Sequence, residues 1–266
     1  MPTIISFRSV SRGAGASTLA TTFAKETAKV KAKILFIEAN LVSPSFASNT
    51  GFSHSTKNFL NLVNQGNSSY KITNYIATKE DVDKKTSSQL TGIDLLTIPK
   101  FQGKHDQVRL EDPSSWTEKF MTILKDLPYD YIVIDVPTEL DEFTSYPILK
   151  QSDEVVSVVE GTPKSLLEFR NEKAWLLENN LSFKETLIIN KYDKDHQSDI
   201  VNFTQEMDYL PIPYDSLRIS KEWQLSIGSD LIDVKIQSLQ AALGVHGVGY
   251  IEKPKTSIMN IFSFRK

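Results

Sequence analysis

The chain has 266 residues, 40% hydrophobic and 24% charged, with a formal net charge of −3. That is enough for one sizeable α/β domain or two small ones, with the charge content of an ordinary globular protein. The absence of cysteine excludes disulfides and thiolate metal sites, and His54, His105, His196 and His246 lack the spacing of a zinc site.

No apolar run reaches the roughly 18 residues of a membrane-spanning helix. Met-Pro-Thr leads directly into a strand, without the basic and apolar regions of a secretory signal. A cytoplasmic location is therefore expected. The mild acidity leaves nucleic-acid binding unsupported but not excluded.

In chain order, buried strands are predicted at Ile4–Phe7, Ile34–Ile37, Asp94–Ile98, Tyr131–Ile134, Val155–Val159 and Leu187–Ile189, with a shorter one near Pro211–Pro213. Helical periodicity falls at about Thr18–Lys31, Ser55–Gln65, Ser114–Lys125, Ser165–Asn179 and Val234–Leu243. Tyr70–Thr91 is polar and fits one helix plus a surface loop. Near-continuous Val/Ile/Leu strands separated by helices imply a doubly wound, mainly parallel α/β sheet flanked by helices. One domain spanning 1–250, followed by a basic-apolar tail at 251–266, is the economical division.

The first strand runs into Ser11-Arg12-Gly13-Ala14-Gly15-Ala16-Ser17-Thr18 and then an amphipathic helix. A strand, a glycine-containing loop and a helix N-terminus bring backbone N–H groups together where the helix dipole favours an anion. The Ser17 and Thr18 hydroxyls are placed to cap that helix. Against the phosphate-loop pattern, Gly15 and Ser17 match, while Val10 replaces the first glycine and Ala16 the lysine. Two other readings compete: a tight turn that binds nothing, and a dinucleotide fingerprint, Gly13-x-Gly15-x-x-Thr18, with Glu38 as the ribose-binding acid.

Further segments decide between them. The chain resembles the ParA/MinD group of P-loop ATPases, whose loop reads Lys-Gly-Gly-x-Gly-Lys-Thr-Thr. Ser11 stands at the early signature lysine and Ala16 at the loop lysine. Ile34 to Leu41 resembles the strand ending in Asp-x-Asp, with Glu38 and Asn40 in place of the two acids that position water. Tyr129-Asp130-Tyr131-Ile132-Val133-Ile134-Asp135-Val136-Pro137 carries the family's Tyr-Asp-apolar-Asp-x-Pro pattern, with Asp135 as the Walker B acid. Gln151–Val156 resembles a strand entry, and Thr162-Pro163 a helix start. Leu187–Lys191 is similar to the strand presenting an adenine-binding Asn190, and Leu210–Asp215 to the loop closing over the base.

The resemblance implies that ATP is held by Arg12, Gly13, Ala14, Gly15, Ala16, Ser17, Thr18, Asn190, Pro213 and Tyr214. It implies Mg2+ at Ser17 and, through water, at Asp135. Read without the resemblance, Asp135 is equally a helix cap or structural acid, Asn190 a loop-satisfying group and Tyr214 a packing residue.

A loop lysine's charge-assisted bond contributes roughly 1.5–3 kcal/mol to binding. Positioned charge matters still more for phosphoryl transfer. With Ser11, Ala16 and Asn40 at the degenerate positions, hydrolysis is expected to be weak or absent, and no catalytic residue is assigned.

The resulting expectation is a degenerate member acting as a positioning or scaffold factor for a larger assembly. It would be a homodimer with a protein partner, near the TadZ/CpaE branch, which also carries degenerate loops. The alternatives are an active partition-type ATPase for plasmid or chromosome segregation, and a binding module that has lost nucleotide. Residues 254–266 combine Ile258, Ile261 and Phe262 with flanking basic residues, so the tail would rest on its own domain, on a partner, or on the inner face of a membrane.

Overall fold

The computed structural model describes residues 1–41, 43–52, 56–82, 88–98, 110–204 and 208–245. Strands with apolar side chains on both faces need cover on both sides, and every residue of Ile34–Glu38 and Tyr131–Asp135 is buried. The strands are β1 (Thr3–Ser9), β2 (Ile34–Glu38), β3 (Ile93–Leu96), β4 (Tyr131–Asp135), β5 (Glu154–Glu160), β6 (Glu185–Tyr192) and β7 (Tyr209–Pro213). They form one sheet in the order β3-β2-β4-β1-β5-β6-β7, with every pairing parallel. This is the doubly wound α/β architecture read from the sequence.

The helices among the described residues are α1 (Ala16–Ala28), α2 (Phe46–Thr50), α3 (Phe59–Val63), α4 (Pro113–Lys125), α5 (Ser145–Gln151), α6 (Pro163–Glu178), α7 (Gln197–Thr204), α8 (Leu217–Trp223) and α9 (Asp230–Ala242). On one face of the sheet, α1 and α9 pack with Phe7, Phe23, Ile236 and Leu239. The Phe7 and Phe23 rings lie 5.3 Å apart. Burying each such side chain contributes about 1.5–3 kcal/mol. Two polar ties lock these helices together: Gln240 Nε2 donates to Thr27 Oγ1 at 2.8 Å, and Lys25 Nζ pairs with Asp233 at 3.0 Å.

The opposite face is covered by α3, α4 and α5 over Ile4, Leu35, Trp116, Phe120 and Ile148, and by α6 and α7 over β5 and β6. Arg8 points into this second layer. It is fully buried, and its Nη2 donates to both carboxylate oxygens of Glu172 on α6 at 2.6 Å. Its Nε and Nη1 have no partner among the described residues.

Several boundaries differ from expectation. α1 begins at Ala16, two residues early, because Gly15 serves as its N-cap. It ends at Ala28, and a turn with Lys31 at φ 64 completes the segment. α3 is only Phe59–Val63, capped by the Asn58 side chain on Asn61 N. Tyr70–Thr91 contributes 3₁₀ turns at Ile72–Asn74 and Lys79–Asp81, and Ala77 bridges Leu95. α2, α5, α7 and α8 are too short to produce a period that stands out in sequence. No helix among the described residues is long and apolar enough to cross a membrane. The predicted tail, 251–266, lies outside the described residues.

Candidate nucleotide-binding site

In an open parallel sheet, ligands bind beyond the carboxyl ends of the strands where the strand order reverses. β1 lies between β4 and β5, so the loops leaving β1 and β4 flank such a crevice. It forms a cleft of about 290 Å³, lined by Arg12, Gly13, Gly15, Ala16, Ser17 and Thr18 from the first loop. Asn40, Ser43, Ser45 and Asn49 line it after β2, and Thr138 and Glu139 after β4. Gly13 and Gly15 have φ 81 and 101, a left-handed backbone that side chains rarely adopt.

The N-cap of α1 is Gly15, with no side-chain capping bond. The expectation that Ser17 and Thr18 cap the helix is therefore corrected: both lie inside it, where Thr21 and Thr22 donate to their carbonyls at 2.8 Å. Ala16 N turns back to Ser9 Oγ at 3.3 Å. Ala16, at the position of the loop lysine, is only 2% exposed and belongs to the core beneath the loop.

Two acids sit at the cleft floor. Glu38 and Asp135 are register partners at the ends of β2 and β4, and both are buried. Glu38 Oε1 accepts from Ser45 N at 2.6 Å and Phe46 N at 2.8 Å, and Oε2 from Ile98 N at 3.1 Å. Burial raises its pKa to about 7 against those bonds. A carboxylate so committed cannot reach a ribose, which removes the dinucleotide reading.

Burial, reinforced by the neighbouring Glu38 charge, raises the Asp135 pKa to about 8, while a hydrogen bond from Ser17 pulls it down. The pair of a hydroxyl and a buried carboxylate with no cation partner among the described residues fits the Mg2+ that the resemblance implies. That ion uses one or two protein oxygens and completes its shell with phosphate and water.

The positive charges around the loop are already engaged. Arg12, at the exposed rim, forks onto Glu139 Oε1. Ser11 Oγ meets Ser165 Oγ at the start of α6 and does not line the cleft. Asn40 lines the cleft, and its Oδ1 accepts from Ser43 N at 3.0 Å.

Asn190, at the end of β6, donates from Nδ2 to the Ala14 carbonyl at 2.7 Å and so bears directly on the loop. Ala14 is fully buried. Sequence reasoning passed over Lys191, whose Nζ reaches the Gly13 carbonyl at 3.3 Å and Glu160 at 3.0 Å. The only signal for it was its place after Asn190; the irregularity that turns it toward the loop leaves no mark in composition. Pro213 pairs with Tyr192 across β6 and β7, and Tyr214 is 58% exposed just beyond. Neither residue lines the cleft between the β1 and β4 loops.

Residues 2–168 match the AAA domain family. Among curated protein sequences none matches the chain. Similar solved structures include the septum site-determining protein MinD of Pyrococcus horikoshii OT3 complexed with Mg-ADP. It is 17% identical, with 92% of this chain and 98% of that chain covered and a TM-score of 0.69. A plasmid partition protein of Borrelia burgdorferi B31 bound to AMPPNP is 20% identical, with 91% and 100% covered and a TM-score of 0.64. MinD in a MinC:MinD cell division complex of Aquifex aeolicus is 17% identical, with 90% and 96% covered and a TM-score of 0.65. At these identities the likeness establishes the fold.

Proposed function

The chain belongs to the AAA domain family, and from that premise we propose that it is a degenerate ParA/MinD-like protein that binds a magnesium–nucleoside triphosphate and hydrolyses it weakly or not at all. Its role is to position or scaffold a larger assembly. One observation carries the reading: the loop keeps its two left-handed glycines and uncapped helix start, while a buried methyl, Ala16, stands where a lysine would reach the phosphates.

In this reading the amides of Gly13 to Thr18 and the α1 dipole hold the phosphates. Ser17 and Asp135 hold Mg2+, which supplies charge neutralisation at the phosphate oxygens. Asn190 keeps the loop shaped through Ala14, and Pro213 and Tyr214 border the base. ATP is the nucleotide implied by the resemblance. Catalysis lacks the positive side chains that stabilise charge developing in the transition state, and removing one such donor costs on the order of 10²–10³ in rate.

A homodimer, a protein partner and contact of 254–266 with the inner face of a membrane belong to the same proposal. The MinC:MinD complex of the similar Aquifex aeolicus structure supports the protein partner. One observation favours the second reading, an active partition-type ATPase: Arg12 is a cleft-lining cation, 75% exposed, and its exposed pair with Glu139 is of a kind that contributes little to stability. Melting curves with and without Mg-triphosphate, combined with a phosphate-release assay, separate the readings. A stabilising shift without turnover supports the scaffold reading, a shift with rapid turnover supports the ATPase, and no shift supports a module that has lost nucleotide.

A further inference from the structure

A second cavity, of about 180 Å³, lies beside the nucleotide cleft and is built differently. Its walls are Ala39 after β2, Phe59 and Val63 of α3, Trp116 of α4, Pro137 after β4 and Ile148 of α5. Ala39, Phe59, Val63, Trp116 and Ile148 are all buried. The walls are therefore core side chains that leave a gap between the loops after β2 and β4. Protein interiors hold few voids larger than a water molecule, whereas an apolar cavity of roughly 150 Å³ stays dry and admits benzene. The volume here suits one aromatic ring with a short substituent. Phe59 and Trp116, edge to face at 6.0 Å, offer that ring an aromatic wall.

Polar groups narrow the choice. The Trp116 indole Nε1 is buried and has no hydrogen-bond partner among the described residues. A buried tryptophan N–H ordinarily finds an acceptor, and an unmet donor is costly. Two carboxylates, Glu139 and Asp141, stand at the mouth, with no cation among the described lining residues. Asp141 is committed to the start of α5, accepting from Thr144 N at 2.6 Å and Ser145 N at 3.1 Å. Glu139 holds Arg12 at the rim of the nucleotide cleft. An anion entering here would meet like charge.

We propose that this cavity is an effector site for a small neutral aromatic molecule carrying one hydrogen-bond acceptor, which takes the Trp116 N–H. Its walls continue directly from the floor of the cleft. Ala39 follows Glu38 and donates from its N to the Asp135 carbonyl at 2.9 Å, Pro137 lies two residues past Asp135, and Glu139 lines both spaces. An occupant braces the two loops that border the nucleotide. Resting on the nucleotide-binding reading above, the two ligands then change one another's affinity by the same factor.

The test titrates the full chain with acetophenone, with isopropylbenzene, which has the same shape but no acceptor, and with benzoate, following the tryptophan indole N–H signals by NMR. Acetophenone is expected to bind at about 1 mM or tighter, about three- to tenfold better than isopropylbenzene, and benzoate not at all. Trp116→Phe keeps an aromatic wall without the donor and should bring acetophenone down to the isopropylbenzene level. Val63→Phe fills the cavity and should abolish binding of both, with circular dichroism confirming that each variant is folded. Saturating acetophenone should shift Mg-ADP affinity about fivefold or more.

No binding of either neutral ligand to the wild type overturns the site, as does undiminished binding by a folded Val63→Phe chain. Equal affinities for ketone and hydrocarbon, or a Trp116→Phe variant that keeps their difference, overturn the acceptor assignment. Benzoate binding as tightly as the ketone overturns the neutral class. Unchanged ADP affinity overturns the coupling. Binding of no nucleotide overturns the reading of the cleft and the coupling with it, while ketone binding decides the cavity in either case.

Discussion

Gly15 and Asn190 specify one another: a β-carbon on Gly15 would stand 2.6 Å from Asn190 Nδ2, closer than any real contact. The phosphate loop is therefore shaped partly by a strand 176 residues away, through the Asn190 to Ala14 bond. Gly15→Ala combines that clash with a left-handed φ of 101, so a loss of about 1–3 kcal/mol is expected, together with loss of nucleotide binding. Asn190→Ala leaves the buried Ala14 carbonyl unpaired, at a similar cost of about 1–3 kcal/mol. Urea denaturation of the two single variants and the double variant should give a total smaller than their sum, because they share one contact.

Ala16→Lys restores the cation that the loop lacks. A charge-assisted bond contributes about 1.5–3 kcal/mol, so nucleotide affinity should rise about ten- to a hundredfold. Isothermal titration of wild type and variant checks this. An unchanged affinity would mean that a side chain from position 16 does not reach the phosphates.

The paired acids predict an unusual pH profile. Glu38 and Asp135 have folded pKa values of about 7 and about 8, above their ordinary 4.5 and 3.8. Across the interval between ordinary and folded values the native chain holds more protons than the unfolded one, so stability falls as pH rises. Melting temperature is expected to decline from about pH 5 to about pH 8. Asp233, also raised by burial, adds to the same slope. Glu26, Asp81 and Asp141 are lowered, so their contribution is lost only at more acid pH, outside this interval. Glu38→Gln should flatten the profile while losing some stability, because its amide would face the Ile98 N–H that Oε2 now accepts.

Arg8 and Glu172 form an ion pair whose cation is fully buried beneath α6. Removing one partner of such a pair leaves an uncompensated charge and costs about 3–5 kcal/mol. Glu172→Gln should therefore destabilise strongly in chemical denaturation. Joint replacement by apolar residues of similar volume, Arg8→Met with Glu172→Leu, should recover most of the loss.

The sheet was legible because Ile34–Ile37 and Tyr131–Ile134 are unbroken apolar runs, and Val155–Val159 is apolar except for Ser157, as strands covered on both faces require. The loop was legible because Gly13 and Gly15 separate a strand from an amphipathic helix. α5 and α8, of seven residues each, were not, since two turns barely define a period. The cation at Lys191 was not legible either, because its reach to Gly13 depends on a skipped ladder position rather than on residue type. The commitment of Glu38 to three backbone amides was hidden for a related reason: its partners, Ser45 and Phe46 at the start of α2 and Ile98 after β3, lie on segments that composition alone does not bring together.

The most direct measurement is phosphate release by the purified full chain under saturating Mg-ATP, with bound nucleotide quantified in the same samples. The account predicts a stoichiometrically occupied site whose turnover lies on the order of 10²–10³ below that of the Ala16→Lys variant. An occupied wild-type site that releases phosphate as fast as that variant would contradict it.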